Sequence, residues 1–133
     1  MKPLFADTSF YVALLSPRDI AHKKALEIGH RFQRQVVLSD FILLELGNAF
    51  SGGGRRELFS RLVAHLRGHP NVRIVPASRD LLDRGLELFS RRPDKGWSLT
   101  DCTSFVVMQD EGLTEALTTD RHFDQAGFRG LLL

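Results

Sequence analysis

Four carboxylates stand where a hydrophobic segment meets a polar one: Asp7, Glu45, Asp101 and Asp120. Glu45 is the most conspicuous. It lies in Phe41-Ile42-Leu43-Leu44-Glu45-Leu46-Gly47-Asn48-Ala49-Phe50, a run whose length and apolar content predict a buried helix. A lone carboxylate on such a helix costs several kcal/mol unless a charge or hydrogen bonds compensate it. Acids gathered at one place repel each other unless a cation holds them together. The chemistry implied is a divalent-metal site of hard oxygen ligands, which favours Mg²⁺ or Mn²⁺, and hence a metal-dependent hydrolase.

Each acid also has a simpler explanation. Asp7 can cap the helix that follows it, with Thr8 and Ser9 as neighbours that orient a water or a carboxylate. Glu45 shares a helix face with Asn48, a narrow polar stripe that a salt bridge would also explain. Ser98-Leu99-Thr100-Asp101 fits a capping box, yet Asp101 shares a face with Phe105 and Met108. Asp120 can cap a short turn or be neutralised by Arg121, Thr119 can donate to a neighbouring carboxylate, and Asp124 is either a further ligand at a looser second metal position or a surface residue. Four independent coincidences at one end of one sheet are a weaker account than a shared cation.

The elements that must position these residues follow from hydrophobic periodicity. Residues 3–6 and 36–38 read as strands, residues 72–76 as a third, 116–119 as a fourth, and 128–132 as a last edge strand. Between them, helices are expected from Ser9 to Leu15, over residues 20–32 with Ala21, Ala25 and Ile28 on one face, and from Ser39 or Asp40 through Glu45. Further helices are expected over residues 55–67, 81–89 and 98–111, the last ending at Gly112. Short apolar strands alternating with helices predict an α/β domain. It is a three-layer α/β/α sandwich on a mostly parallel sheet of four to five strands, with its active end outside the C-terminal ends of the strands.

Composition narrows the classes. At 133 residues and 43% apolar content the chain suits one domain, 1–133, with a real core. No apolar run approaches the ~20 residues of a membrane span, and the N-terminus reaches Asp7 too soon for a signal peptide. Lone Cys102 excludes a disulfide framework and reads as a core filler in a reducing, cytoplasmic compartment. His65 and His69 lack a third zinc ligand, while His22, His30 and His122 read as surface or helix-end residues. Gly52-Gly53-Gly54 lacks the Lys-Ser/Thr of a phosphate loop. Setting aside the four candidate ligands leaves 18 basic side chains against 12 acidic ones, a bias that suits a polyanion. Arg55, Arg56 and Arg61 open a basic segment that is either a solvated helix face or a phosphate-backbone track. Trp97 and Tyr11 are either core residues or stacking platforms for single-stranded RNA.

In this order and spacing, Phe5-Ala6-Asp7-Thr8-Ser9, Glu45-Leu46-Gly47-Asn48, Ser98-Leu99-Thr100-Asp101-Cys102 and Leu117-Thr118-Thr119-Asp120-Arg121-His122-Phe123 resemble the motifs of PIN-domain ribonucleases. The compact VapC-type toxins of toxin–antitoxin pairs are the most similar group, and the resemblance spans essentially the whole chain. It implies metal-coordinating carboxylates at Asp7, Glu45, Asp101 and Asp120, with a more variable late acid at Asp124. It further implies cleavage of single-stranded or structured RNA with Mg²⁺ or Mn²⁺, a homodimer, and a small antitoxin partner. A standalone PIN nuclease in RNA processing carries the same motifs. A phosphatase of the HAD type would want a second Asp where Ser9 stands. A module that kept the fold but lost turnover, binding nucleic acid or a partner protein, is the non-enzyme alternative, and retention of all four acids speaks against it.

Overall fold

The computed structural model of the chain describes residues 1–31 and 33–133. Among them are five strands and seven helices. In chain order these are β1 (Leu4–Ala6), α1 (Thr8–Leu15), α2 (His22–Arg31), β2 (Val36–Ser39), α3 (Asp40–Ala49) and α4 (Arg56–Gly68). There follow β3 (Val72–Val75), α5 (Arg79–Arg91), α6 (Leu99–Glu111), β4 (Glu115–Leu117), α7 (His122–Gln125) and β5 (Arg129–Gly130). The expected end of the second helix at Phe32 lies outside the described residues. Its expected start is trimmed, because Ile20 is fully exposed and helix begins at His22.

All five strands run parallel in the order β3-β2-β1-β4-β5. The chain therefore builds outward on one side of β1, then crosses to the other side for β4 and β5. β1 pairs with β2 at Leu4↔Val36 and with β4 at Ala6↔Leu117. Helices cover the sheet in the three-layer α/β/α arrangement. A parallel strand covered on both faces needs apolar residues at every position, and Leu4, Phe5 and Ala6 are all buried. The switch in strand order falls between β1 and β4, where such sheets open a crevice at their C-terminal ends. Asp7 follows β1 and Asp120 stands three residues past β4, so both acids flank that crevice.

The expectation of a wholly buried helix is met by α6 rather than by α3. Residues 101–108 of α6 are all buried, whereas α3 leaves Leu44 62% exposed and Asn48 exposed as well. α6 tolerates burial because its polar side chains bond within the helix: Thr103 Oγ1 donates to the Thr100 carbonyl at 2.7 Å and Ser104 Oγ to the same carbonyl at 3.0 Å. α5 packs closely along it. The approach is set at Gly85, where a Cβ would stand 2.6 Å from Thr103 Cγ2.

A column of aromatic rings runs beneath the acidic crevice. Trp97 meets Phe105 edge-on at 5.0 Å, Phe105 meets Phe123 edge-on at 5.0 Å, and Phe123 stacks on Phe5 at 6.1 Å. Phe5 belongs to β1, Phe105 to α6 and Phe123 to α7, so one buried stack fixes the elements that carry or flank Asp7, Asp101 and Asp120. Trp97 is only 7% exposed, and its indole N–H donates to Gln125 Oε1 at 3.1 Å; Tyr11 is 3% exposed against Phe10. Neither ring is a free platform for a base. Their apolar area is worth more in the core than in water.

Candidate active site

A cleft of about 390 Å³ opens at the C-terminal end of the sheet, and its lining includes Asp7, Glu45, Asp101 and Asp120 together with Thr8, Ser9, Thr119, Asp19 and His122. A larger groove of about 450 Å³, between Tyr11, Leu14, Leu62 and His65, contains no carboxylate. Among the described residues, no lysine or arginine forms an ion pair with any of the four acids. Among the described residues, the other side chain set against these acids is the imidazole of His122.

Asp7 is 5% exposed, directly after β1. It holds the N-cap position of α1 but makes no side-chain capping bond, so helix capping does not explain it. Its Oδ2 instead accepts from Ser9 Oγ at 2.8 Å and from Thr118 Oγ1 at 2.8 Å. Ser9, expected to start the helix as its cap, lies inside α1 and serves Asp7. Burial pushes the Asp7 carboxyl up to about 6; the bonds from Thr118 and Ser9 oppose that rise, and the charges of Asp101 and Glu45 add to it. A positive charge in the cleft would reverse the burden on this group.

Thr118 ties the site together. Its hydroxyl donates to Asp7 and accepts from the Asp120 backbone N–H at 3.0 Å, while Ser9 Oγ accepts from the Thr119 N–H at 3.0 Å. Thr119 was the threonine expected to donate to a carboxylate; the structure gives that bond to Thr118. The chain bends at Thr119, and the Thr118 hydroxyl closes that turn by accepting the N–H two residues on.

Asp101 both caps its helix and lines the cleft. The capping box is present: Ser98 Oγ accepts from the Asp101 N–H and Asp101 Oδ2 accepts from the Ser98 N–H, each at 3.0 Å. Oδ2 also lies within hydrogen-bond distance of His122 Nδ1, at 2.8 Å, while Oδ1 makes no hydrogen bond among the described residues. Asp120 Oδ1 accepts the His122 N–H at 2.9 Å, which starts α7, and Arg121 forms no ion pair with it. Glu45 projects from α3 into the cleft half-exposed, with no hydrogen-bond partner among the described residues.

Two expected residues are not brought to the cleft. Asn48 is exposed and lines a separate groove with Phe59, Val63 and Arg67. Asp124 is exposed, and its Oδ1 accepts the Gly130 N–H at 3.0 Å, anchoring β5. The fifth acid of the cleft is Asp19, whose Oδ1 also accepts the Ala21 N–H at 2.8 Å. His122, read as a helix-end residue, does begin α7. Its Nδ1 nevertheless lies 2.8 Å from Asp101 Oδ2 and 3.3 Å from Asp120 Oδ1. The Asp-Arg-His spacing carried that signal: an aspartate that accepts the N–H two residues on folds the next side chain back toward itself.

The carboxylate cleft lies on a parallel sheet, at the switch in strand order, and presents a set of hard oxygen donors. The family model of the PIN domain matches residues 4–129. The chain belongs to the PIN-domain family, and within it to the VapC-type endoribonucleases. It is 30% identical over 126 residues to the 23S rRNA-specific endonuclease VapC20 of Mycobacterium tuberculosis, covering 94% of this chain and 95% of that one. The crystal structure of VapC20, described as a sarcin-ricin loop cleaving toxin, superposes with a TM-score of 0.85 at 29% identity, covering 94% and 95% of the two chains. FitAcB from Neisseria gonorrhoeae (TM-score 0.67, 16% identity, 96% and 94% covered) and VapBC2 from Rickettsia felis bound to a DNA fragment from their promoter (0.64, 18%, 95% and 95%) share the fold. No helix among the described residues is long and apolar enough to cross a membrane.

Proposed function

We propose that the chain is a cytoplasmic endoribonuclease whose single domain, 1–133, hydrolyses RNA phosphodiester bonds with Mg²⁺ or Mn²⁺. The observation that carries this reading is the convergence of Asp7, Glu45, Asp101 and Asp120 in one cleft with, among the described residues, no arginine or lysine paired to them. The residues fit a cation. Thr8 is 8% exposed and its Oγ1, buried beside the same acids, has no hydrogen-bond partner among the described residues, an oxygen a metal or its water would satisfy. Asp7, Asp101 and Asp120 would hold the ion, with Glu45 joining directly or through water. A divalent cation there supplies a water of lowered pKa and neutralises charge on phosphoryl oxygens. Ser9 and Thr118 keep the Asp7 carboxylate aimed, and the aromatic column keeps the acid-bearing elements in register.

Arg55, Arg56 and Arg61 are exposed and offer a track for the flanking backbone. Each is oriented by a local bond, to the Ala49 carbonyl, the Ser51 carbonyl and Glu57 respectively. The name of the relative VapC20 makes a structured ribosomal RNA loop the first substrate to try. The resemblance to the VapC-type toxins further implies a homodimer and a small antitoxin partner.

The test is cleavage of a panel of RNA stem-loops and single strands, with EDTA and with Mg²⁺ or Mn²⁺ restored. Glu45→Gln should lower the rate at least ~100-fold while leaving the fold intact. Cleavage by the variant at the wild-type rate, or cleavage that survives EDTA, would overturn the proposal. Growth arrest on expression, relieved by a co-expressed neighbour, separates a toxin from a housekeeping nuclease.

A further inference from the structure

Resting on the cation reading above, we infer that His122 is itself a ligand: its Nδ1 joins Asp101 and Asp120 in the ion's coordination shell and biases the site toward transition-metal ions over Mg²⁺. The donor atoms of Asp101, Asp120 and His122 all lie within 4.8 Å of one another. Nδ1 stands 2.8 Å from Asp101 Oδ2 and 3.3 Å from Asp120 Oδ1. Neighbouring ligands held at ~2.1 Å from one octahedral ion are separated by roughly 3 Å, so these spacings suit adjacent corners of a coordination shell.

The three donors come from two places in the chain, the first turn of α6 and the turn entering α7. Each carboxylate is oriented before any ion arrives. The Ser98 N–H fixes Asp101 at 3.0 Å, and the His122 N–H fixes Asp120 at 2.9 Å. A ring that merely lent charge to the acids would need only one of them. Nδ1 sits between both. The buried Thr8 Oγ1 on the same cleft, unpartnered among the described residues, is a separate sign that an occupant completes the site.

To ligate through Nδ1, the neutral ring carries its proton on Nε2, which faces the loop at Gly96. Carboxylate oxygens serve Mg²⁺ and Mn²⁺ alike, whereas imidazole suits the transition metal. A nitrogen ligand therefore changes the ratio of affinities rather than binding in general.

The experiment titrates Mn²⁺ and Mg²⁺ separately into metal-free protein by calorimetry and records pulsed EPR of the Mn²⁺ complex. Wild type should show a histidine ¹⁴N coupling, and His122→Ala should lose it together with at least ~10-fold of the Mn²⁺ preference over Mg²⁺. His122→Asn keeps an N–H that can bond Asp101, so a positioning role would be rescued by it and a ligand role would not. Absence of ¹⁴N coupling in wild type, or wild-type affinity for both ions in His122→Asn, overturns the inference. Asp101→Asn is the separate arm: if it still binds both ions as wild type does, the cation reading itself fails. If it loses both while His122→Ala keeps the wild-type ratio, only the His122 assignment fails. Circular dichroism confirms that each variant is folded.

Discussion

Replacing Asp7 by asparagine should make the metal-free protein more stable at neutral pH, although the residue belongs to the proposed catalytic site. The Asp7 carboxyl titrates near 3.8 when solvated and is raised to about 6 in the folded chain. Between those values the native state binds more protons than the unfolded state, so wild-type stability falls as pH rises through this window and levels off above it. The difference is on the order of 3 kcal/mol at 1.36 kcal/mol per pKa unit. Asparagine imitates the protonated acid in size and can still accept from Ser9 Oγ and Thr118 Oγ1. Urea unfolding in EDTA from pH 4 to pH 8 should therefore give equal stabilities near pH 4 and a gap favouring Asp7→Asn at pH 8. That gap corresponds to roughly 10 °C in Tm for a domain of this size. Saturating Mg²⁺ or Mn²⁺ should close or invert it, since an ion bound only by the native wild type adds ~2.7 kcal/mol at a hundred times its Kd. If the two proteins showed parallel pH profiles in EDTA, or if the variant were weaker at pH 8, the reasoning from a buried uncompensated charge would be refuted.

Thr118→Val removes both the donor to Asp7 and the acceptor for the Asp120 N–H. It should cost about 1–3 kcal/mol at pH 8, and less in an Asp7→Asn background, as a double-mutant cycle by denaturation would register. Gly85→Ala places a methyl 2.6 Å from Thr103 Cγ2 and should destabilise by about 1–3 kcal/mol without altering the cleavage rate per folded molecule. Adding Thr103→Ser, which deletes that methyl and keeps the hydroxyl, should recover most of the loss in a thermal melt. Asp124→Asn should leave cation affinity unchanged by calorimetry and stability within ~0.5 kcal/mol, because the residue is exposed and its bond to the Gly130 N–H survives. A tenfold loss of affinity would return Asp124 to the ligand set.

Much of the frame was legible because parallel sheets obey strong rules. Apolar runs ending in Asp7 and Thr119-Asp120 located the C-terminal edge, and Ser98 to Asp101 announced a capping box that the structure contains. What eluded the sequence depends on packing at a distance. Leu44 looks like core but faces outward, because the inner face of α3 is already filled by Ile42, Leu43 and Leu46. Trp97 and Tyr11 could stand inside or outside until Phe105 and Phe10 supplied their partners. Thr118 outranks Thr119 because the chain bends just past β4, a turn that the residue types alone do not fix. Asp19 and His122 are different: each sits at a helix entrance, where a local role hides a second one. Asp124 shows the reverse, an acid at a plausible spacing that β5 claims for its own backbone.

The central claim is that a cation is what lets these carboxylates share one cleft. Anomalous diffraction from crystals grown metal-free and then supplied with Mn²⁺ tests it most directly. The account predicts a single strong peak bounded by Asp7, Glu45, Asp101 and Asp120, absent from crystals of Asp101→Asn treated alike. An empty cleft in fully soaked wild-type crystals, or the same peak persisting in the variant, would contradict it.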